Sequence, residues 1–355
     1  MTPVISVVLP THNPRADYLA RVIEALRAQT LSKDLWELVV VDNGSKQPLA
    51  AVAGGKGVMC ESGKTDGSSQ AVAERPRDEE TKEPQVSASL LSHLPTFLPF
   101  TELDLSWHSN ARIVREEALG LTNARLRGFA ETTGEVIVLV DDDNVLAPDY
   151  LEQAVRIARE HPFLGTWSGA LELELESGSP EPAPELRHLL CERKPVRDVW
   201  SNDRSNFAAT PWGAGECIRR EVAIAYAEKV AKEPRRRQLD LQGEQLVYGG
   251  DTDIAYTGLD MGMGMGVFTS LKITHLTPKA RCTEEYLLKN YEAHAYSEVL
   301  HHWVEYGSIP KQRTDVRGRL GLLARRLLGS SLERKMFAAR SRGLRKAERS
   351  IANGG

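Results

Sequence analysis

Apolar positions along the chain recur with two different periods. Val4 to Leu9 (VISVVL) is an unbroken β-branched run ending at Pro10, the pattern of a strand buried on both faces. From Ala16 to Gln29 the apolar residues Leu19, Val22, Ile23 and Leu26 fall at helical spacing. Trp36 to Val41 (WELVVV) is again continuous and is stopped by Asp42-Asn43-Gly44. Strand, helix and strand in this order predict a βαβ unit, and with it a parallel sheet and a right-handed crossover.

The alternation breaks near Ala50. Residues Gly54 to Pro84 are rich in Gly, Ser, Lys, Asp and Glu and poor in aromatic and β-branched residues. Such a stretch buries too little apolar surface to offset its ordering entropy, so 51–102 reads as a flexible insertion. Its apolar, Pro-broken end Leu90 to Phe100 reads as a loose loop, or as a segment docking on the body or a partner. Beyond it the pattern predicts strands at Ala111–Val114, Val136–Val140, Leu164–Leu175 (single or bent) and Val267–Thr274. Helices are predicted at Thr122–Thr132, Pro148–His161, Leu186–Cys191, Arg220–Lys232, Asp251–Leu259 and Thr283–Tyr306. Arg317 to Ile351 mixes Leu and Ala with Arg and Lys at helical spacing. The expected organisation is an α/β domain over 1–280, carrying the insertion, and a helical C-terminal extension with a basic tail over 281–355.

At 355 residues, 41% hydrophobic and 26% charged, the chain has an ordinary globular composition and enough length for a sizeable core. No apolar run approaches the ~20 residues of a membrane span. Met1-Thr2-Pro3 leads into the first strand without a basic, signal-like region, so a cytoplasmic protein is expected. The cysteines Cys60, Cys191, Cys217 and Cys282 are scattered and read as reduced thiols. A net charge of −4 conceals an asymmetry: from Lys311 onward thirteen Lys/Arg face three Asp/Glu, so the body is strongly acidic. An acidic body argues against nucleic-acid binding. The basic tail fits either a helix packed on the body with a solvated face or a helix resting on anionic lipid at the inner face of the membrane.

The strongest chemical signal is LVDDDN, Leu139 to Asn144, directly after the strand VIVLV. Consecutive carboxylates at a strand's carboxyl end repel one another unless a cation neutralises them, and this edge of an open parallel sheet is where ligands bind. In an extended segment Asp141 and Asp143 would share a side, which suits a hard divalent ion that also bridges phosphate oxygens. A solvated acidic turn capping the next helix would show the same residues. A second signal is the pair of strand ends Pro10-Thr11-His12-Asn13 and Val41-Asp42-Asn43-Gly44-Ser45, where an Asp after the second strand is placed to accept from a base or ribose. Each alone is ordinary turn chemistry. His275 ends a strand and is either a metal or phosphate contact or a structural histidine. Gly57 to Thr65 imitates a phosphate loop, but five residues separate its glycines where the motif has four.

The ordered motifs VVLPTHN, VVVDNGS, LTNARLRGF and VIVLVDDDN resemble family 2 of the inverting GT-A glycosyltransferases, well over Val4 to Leu175 and more weakly through TPWGAGECIRRE and YGGDTDIAYTGLDMG. The resemblance implies a GT-A, Rossmann-like, mostly parallel sheet flanked by helices. It also implies inverting sugar transfer from a nucleoside diphosphate donor to a saccharide or lipid-linked saccharide hydroxyl, with Mg2+ or Mn2+ as cofactor, in bacterial polysaccharide or glycolipid synthesis. Under it, Thr11, His12 and Asp42 line the base pocket, with Pro10 and Asn13 beside them, and Arg125 lies near base or phosphates. Asp141, Asp142 and Asp143 form a DXD-type site, with Asp143 and Asp141 for the metal and Asp142 facing ribose or sugar; His275, from its own place at a strand end, is the candidate third metal ligand. Gly213, Ala214 and Gly215 make the glycine turn beside the donor sugar, and Asp251 is the catalytic base. The residue before Asp251 is Gly250 where the family keeps Glu, so Asp253 or Glu244 could share the acceptor contact; a helix N-cap is the structural alternative for Asp251. Two other readings follow from the same residues. One is a non-catalytic nucleotide-sugar-binding module. The other is a nucleotidyltransferase, which would need a Gly-rich basic loop where Pro10 to Pro14 stand.

Overall fold

The computed structural model describes residues 3–51, 102–241, 245–310 and 329–353. The described residues contain a mixed sheet with helices on both faces. In chain order these are β1 (Ile5–Thr11), α1 (Ala16–Arg27), β2 (Trp36–Asn43), β3 (Ala50–Ala51), β4 (Glu102–Leu103), β5 (Ala111–Glu116), α2 (Leu121–Glu131), β6 (Val136–Leu139), β7 (Asn144–Leu146), α3 (Tyr150–Glu160), β8 (Leu164–Leu175), α4 (Pro184–Arg187), β9 (Val199–Ser201), β10 (Cys217–Arg219), α5 (Arg220–Lys232), α6 (Gly250–Asp260), β11 (Gly264–Thr277), α7 (Glu284–Tyr306) and α8 (Ser331–Ala352). The strand order is β5-β2-β1-β6-β10-β8-β11-β7, with β9 added on β11.

Burial on both faces explains the continuous apolar runs. In β1, Ile5, Val7 and Leu9 share a cluster with Leu19, Val22, Ile23 and Leu26 of α1, while Val8 turns to the opposite layer with Ala124 and Phe129 of α2. Leu38 and Val40 of β2, and Val136 and Val138 of β6, repeat the first orientation; Val39, Val41, Ile137 and Leu139 repeat the second. A period of two with both faces apolar is what a sheet between two helical layers requires.

β5, β2, β1 and β6 run parallel, so their carboxyl ends meet at one rim. β10 enters antiparallel between β6 and β8, with Cys217 opposite Val138 and Arg219 opposite Val136. The residues preceding β10 therefore lie at that same rim. The sheet is thus more mixed than the motifs suggested: β10, β7 and β9 all pair antiparallel. A three-residue strand such as CIR carries too little pattern to be read from sequence.

Residues 52–101 of the insertion, with the phosphate-loop imitation, Leu90–Phe100 and Cys60, lie outside the described residues; β3 and β4 at its two ends pair parallel with each other. Among the described residues Cys191, Cys217 and Cys282 are free thiols. Of the predicted tail helix, residues 317–328 also lie outside them. The remainder, α8, is closed at its start by a Ser330/Glu333 capping box and is packed on α7. A Cβ added at Gly343 would run into the Glu292 carbonyl and sit 3.0 Å from the Ala295 Cβ, so the two helices cross closely there. Lys335, Arg340 and Arg342 pair with Glu284, Glu298 and Glu292 of α7. Among the described residues no helix is long and apolar enough to cross a membrane.

Candidate active site

The rim collects the predicted residues from separated parts of the chain. At the end of β6 the chain does not remain extended. Asp142 and Asp143 turn, and the Asn144 N–H donates to the Asp141 carbonyl at 3.1 Å, so the shared-side geometry expected of an extended segment is replaced by a tight acidic turn. Thr11, last residue of β1, donates through Oγ1 to Asp142 Oδ2 at 2.5 Å. β7 follows the turn and pairs antiparallel with β11, bringing His275 opposite Asn144. His275 Nε2 consequently lies 3.5 Å from Asp143 Oδ2.

Charge crowding at this turn is uneven. Burial, the nearby Asp143 and, for Asp142, Asp141 raise Asp141 to about 6 and Asp142 to about 7. Burial also pushes on Asp143, but His275 and Arg281 outweigh it and hold its carboxyl below the usual value. Arg281, whose Nη1 is 3.0 Å from Asp143 Oδ2, follows β11 in a short helical turn and was not singled out by the sequence. Its signal there was a basic residue six positions beyond a strand-end histidine.

The strand ends of β1 and β2 are laced together. His12 Nδ1 lies 2.7 Å from the Asn43 carbonyl, the Asn13 N–H donates to Ser45 Oγ at 2.9 Å, and Asn13 Oδ1 accepts from the Lys46 N–H at 2.9 Å. Asn13 adopts φ 49°, a left-handed turn conformation that Asn tolerates. Pro10 is buried within β1, opposite Val41. Asp42 is buried, with Oδ1 accepting from the Ser45 N–H and Oδ2 from the Leu49 N–H and Arg115 Nη1. Its carboxylate shapes the loop after β2.

The glycine turn Gly213-Ala214-Gly215 precedes β10. Gly215 has φ +67°, and a Cβ there would run into the Tyr150 hydroxyl and Ile273 Cδ1. The Tyr150 hydroxyl donates to the Gly215 carbonyl at 2.6 Å, locking the turn. Gly213 donates its N–H to Asp251 Oδ2 at 2.9 Å. Asp251 stands in the first turn of α6, whose N-cap is Gly249, so the capping alternative for Asp251 does not hold. Asp253 is fully buried and held by Arg236 at 2.6 Å within an ion network reaching Lys229 and Glu305. That network ties α6 to α5 and α7 and removes Asp253 from the rim. Glu244 lies outside the described residues.

Arg125 of α2 is buried and donates to Asp240 Oδ2 at 2.9 Å. Burial lowers its affinity for a proton, but Asp240, Asp141, Asp251 and Glu216 together outweigh this and keep it charged. Asp240 is raised to about 6 by burial, against the pull of Arg125. Glu216 is fully buried with both carboxylate oxygens unpartnered, and burial and the Asp251 charge raise it well above the usual range. Asp240 and Glu216 are the carboxylates that the motif reading missed. Glu216 adjoined the GAG turn in plain view, whereas nothing local distinguishes Asp240 in RRRQLDLQGE.

Hard carboxylate oxygens with an imidazole nitrogen form a donor set suited to Mg2+ or Mn2+. Donors each about 2.1 Å from one ion can lie up to roughly 4 Å apart, so the His275–Asp143 separation is compatible with sharing an ion. Asp141 and Asp142, raised by burial and then by neighbouring carboxylates, would be held ionised by a cation, and His275 Nδ1 is buried without a partner. The residues fit such an ion. As they stand, no group of three His, Cys, Asp or Glu side chains is poised around a common point among the described residues.

A family model described as Glycosyl transferase family 2 matches residues 6–55 and 103–196. The matched stretches stop and resume at the insertion and contain β1, β2, α2, β6 and the acidic turn. No curated protein matches the chain. Among solved structures, the chain is similar to S. aureus TarS 1-349, at 12% identity and a TM-score of 0.42, covering 100% of this chain and 92% of that one. It is similar also to S. aureus TarS 1-349 in complex with UDP, at 13% identity and a TM-score of 0.41, with the same coverage of both chains.

Proposed function

We propose that the protein is a metal-dependent, inverting glycosyltransferase that moves a sugar from a nucleoside diphosphate to a hydroxyl acceptor. The observation that carries this reading is the placement of Asp251. It faces the glycine turn, anchored on the Gly213 N–H, and comes from a segment separate from the acidic turn Asp141–Asp143. Inversion by single displacement needs this division: a carboxylate to take the acceptor proton, and a distinct group of charges to receive the leaving diphosphate. The family match over the acidic turn supports the same class of chemistry.

In this mechanism the ends of β1 and β2, Pro10 to Asn13 and the Asp42 loop, hold the nucleoside. Arg125 lies against the glycine turn as the buried positive charge, and Gly213 to Gly215 present their backbone to the sugar. Asp251 accepts the proton of the attacking hydroxyl as the new bond forms at the anomeric carbon and the bond to the diphosphate breaks. A divalent ion held by Asp141, Asp143 and His275 would supply Lewis-acid stabilisation of the leaving oxygen. Arg281 is placed to balance charge at Asp143 on the same side.

The acceptor we propose is a saccharide or lipid-linked saccharide of a bacterial surface polysaccharide or glycolipid, met at the cytoplasmic face of the membrane. Basic side chains of α8 beyond the three paired with α7 are the proposed peripheral contact with anionic lipid. The test is transfer or donor hydrolysis with a panel of nucleoside diphosphate sugars, with and without Mn2+. The reading requires Mn2+-dependent release of a nucleoside diphosphate that Asp251→Asn abolishes while nucleotide binding survives. Binding without turnover in the wild type would identify a binding module instead, and formation of a nucleoside triphosphate and a sugar 1-phosphate on adding pyrophosphate a nucleotidyltransferase.

A further inference from the structure

Gly250, immediately before the base Asp251, has no room for a side chain. A Cβ there would fall far inside van der Waals contact of Asp240 Oδ2 and Cγ, and 2.7 Å from Oδ1. The Asp240 carboxylate thus lies flat against the backbone of the residue preceding Asp251. It is buried, and it arrives from the end of a short helical turn, Pro234–Leu239, on another segment. Its Oδ2 accepts from Thr122 Oγ1 at 2.9 Å and from Arg125 Nη1 at 2.9 Å.

Arg125 extends the connection. Its Nη2 lies 2.7 Å from where a Cβ on Gly213 would stand, so the guanidinium is pressed against the Gly213 backbone, and the Gly213 N–H in turn donates to Asp251. Asp240 therefore reaches Asp251 by two routes: directly through Gly250, and through Arg125 and Gly213. Arg125 Nε has no partner, so without Asp240 the buried guanidinium would lose its hydrogen-bonded counter-charge.

We propose that Asp240 and Gly250 work as one unit, in which Asp240 delivers a carboxylate into the space a side chain at position 250 would fill and acts as the positioning residue for Arg125 and Asp251. This rests on the reading of Asp251 as the base. The departure at Gly250 is then a relocation of the carboxylate, and the glycine is required because the relocated group occupies its side-chain volume.

The test is a transposition. Turnover of UDP-glucose, UDP-N-acetylglucosamine and GDP-mannose with Mn2+ is measured for wild type, Asp240→Asn, Gly250→Glu and Asp240→Gly/Gly250→Glu, with melting temperatures alongside. Asp240→Asn keeps the shape and is expected to lose roughly a hundredfold in kcat while donor KM stays within about threefold. Gly250→Glu alone melts below wild type. The double variant recovers melting temperature and at least about tenfold of the lost kcat. Wild-type kcat in Asp240→Asn, or a folded double variant no faster than Asp240→Asn, overturns the proposal; if the double variant does not fold, Asp240→Asn decides alone. A stability cycle separates this from the function itself. Gly250→Ala should lower the melting temperature in the wild-type background and not in Asp240→Gly, and equal effects in both overturn the unit. A wild type that turns over none of the three sugars counts against glycosyl transfer, and the stability cycle then decides whether the unit exists.

Discussion

Thr11 Oγ1 donates to Asp142 Oδ2 at 2.5 Å, joining the carboxyl end of β1 to the acidic turn after β6. The bond spans 131 residues of sequence, and it forms because β1 and β6 are parallel neighbours whose ends coincide at the rim. Removing the hydroxyl leaves a crowded carboxylate without its donor. Thr11→Val is expected to fold, to raise Asp142 further and to cut donor turnover about tenfold, with a stability loss of about 1–3 kcal/mol. Thermal melts and initial rates check both parts. Unchanged rates would mean that Asp142 needs no help from β1.

Proton uptake by the acidic turn predicts how ion binding depends on pH. Asp141 and Asp142 are raised to about 6 and about 7. Asp141 is mostly ionised at pH 7 and Asp142 about half so, and both take up protons as pH falls, competing with the proposed divalent ion. Mn2+ affinity from titration calorimetry should therefore be highest near pH 8 and fall steeply towards pH 5.5.

The same shifts have a stability consequence of opposite sign. An acid whose folded value lies above its unfolded one favours folding least when ionised. Its cost is absent below the unfolded value near 4, grows as pH rises, and is complete above about 7. Without added metal, Asp142→Asn should melt above wild type at pH 8 and no higher than wild type at pH 4. A variant less stable at pH 8 would show that the charge at Asp142 is already compensated.

Substituting the proposed base, Asp251, separates chemistry from binding. Asp251→Asn retains an oxygen to accept from Gly213 but cannot take a proton. Turnover should fall by roughly 10²–10⁴-fold with nucleotide affinity preserved. A variant with wild-type turnover would place the base elsewhere.

Crowding at Gly215 predicts a conformational penalty. Gly215→Ala must accommodate a methyl group against the Tyr150 hydroxyl and Ile273 at φ +67°. A loss of about 1–3 kcal/mol is expected, measured by denaturant unfolding. Tyr150→Phe, which removes the hydrogen bond to the Gly215 carbonyl as well as the obstructing oxygen, should relieve part of the clash and so be non-additive with it.

Much of the rim was legible because its chemistry is local. LVDDDN places three carboxylates after an apolar strand, and PTHN and VDNGS end two others, so parallel pairing alone brings them to one edge. Asp251 was singled out through the resemblance of its neighbourhood, and the structure sets its carboxylate on the Gly213 N–H. Arg281 and Asp240 were not found. Arg281 reaches Asp143 across 138 residues, and Asp240 reaches Arg125 across 115, with no spacing rule linking either pair. The misjudged detail at the acidic turn has a local cause: a backbone hydrogen bond from Asn144 to Asp141 closes a turn where extension was expected.

By itself the chain's pattern of apolar runs and helical repeats determined the layers: strands such as β1 and β2 with no polar face must lie between helices, and their ends must share an edge. That follows from burial and from the period of the side chains. Only the tertiary structure decided which distant charges meet there. Asp240 against Gly250, Arg281 against Asp143 and Asp253 withdrawn to Arg236 depend on how separate segments pack, and the sign and cost of a buried charge are set by its neighbours in space.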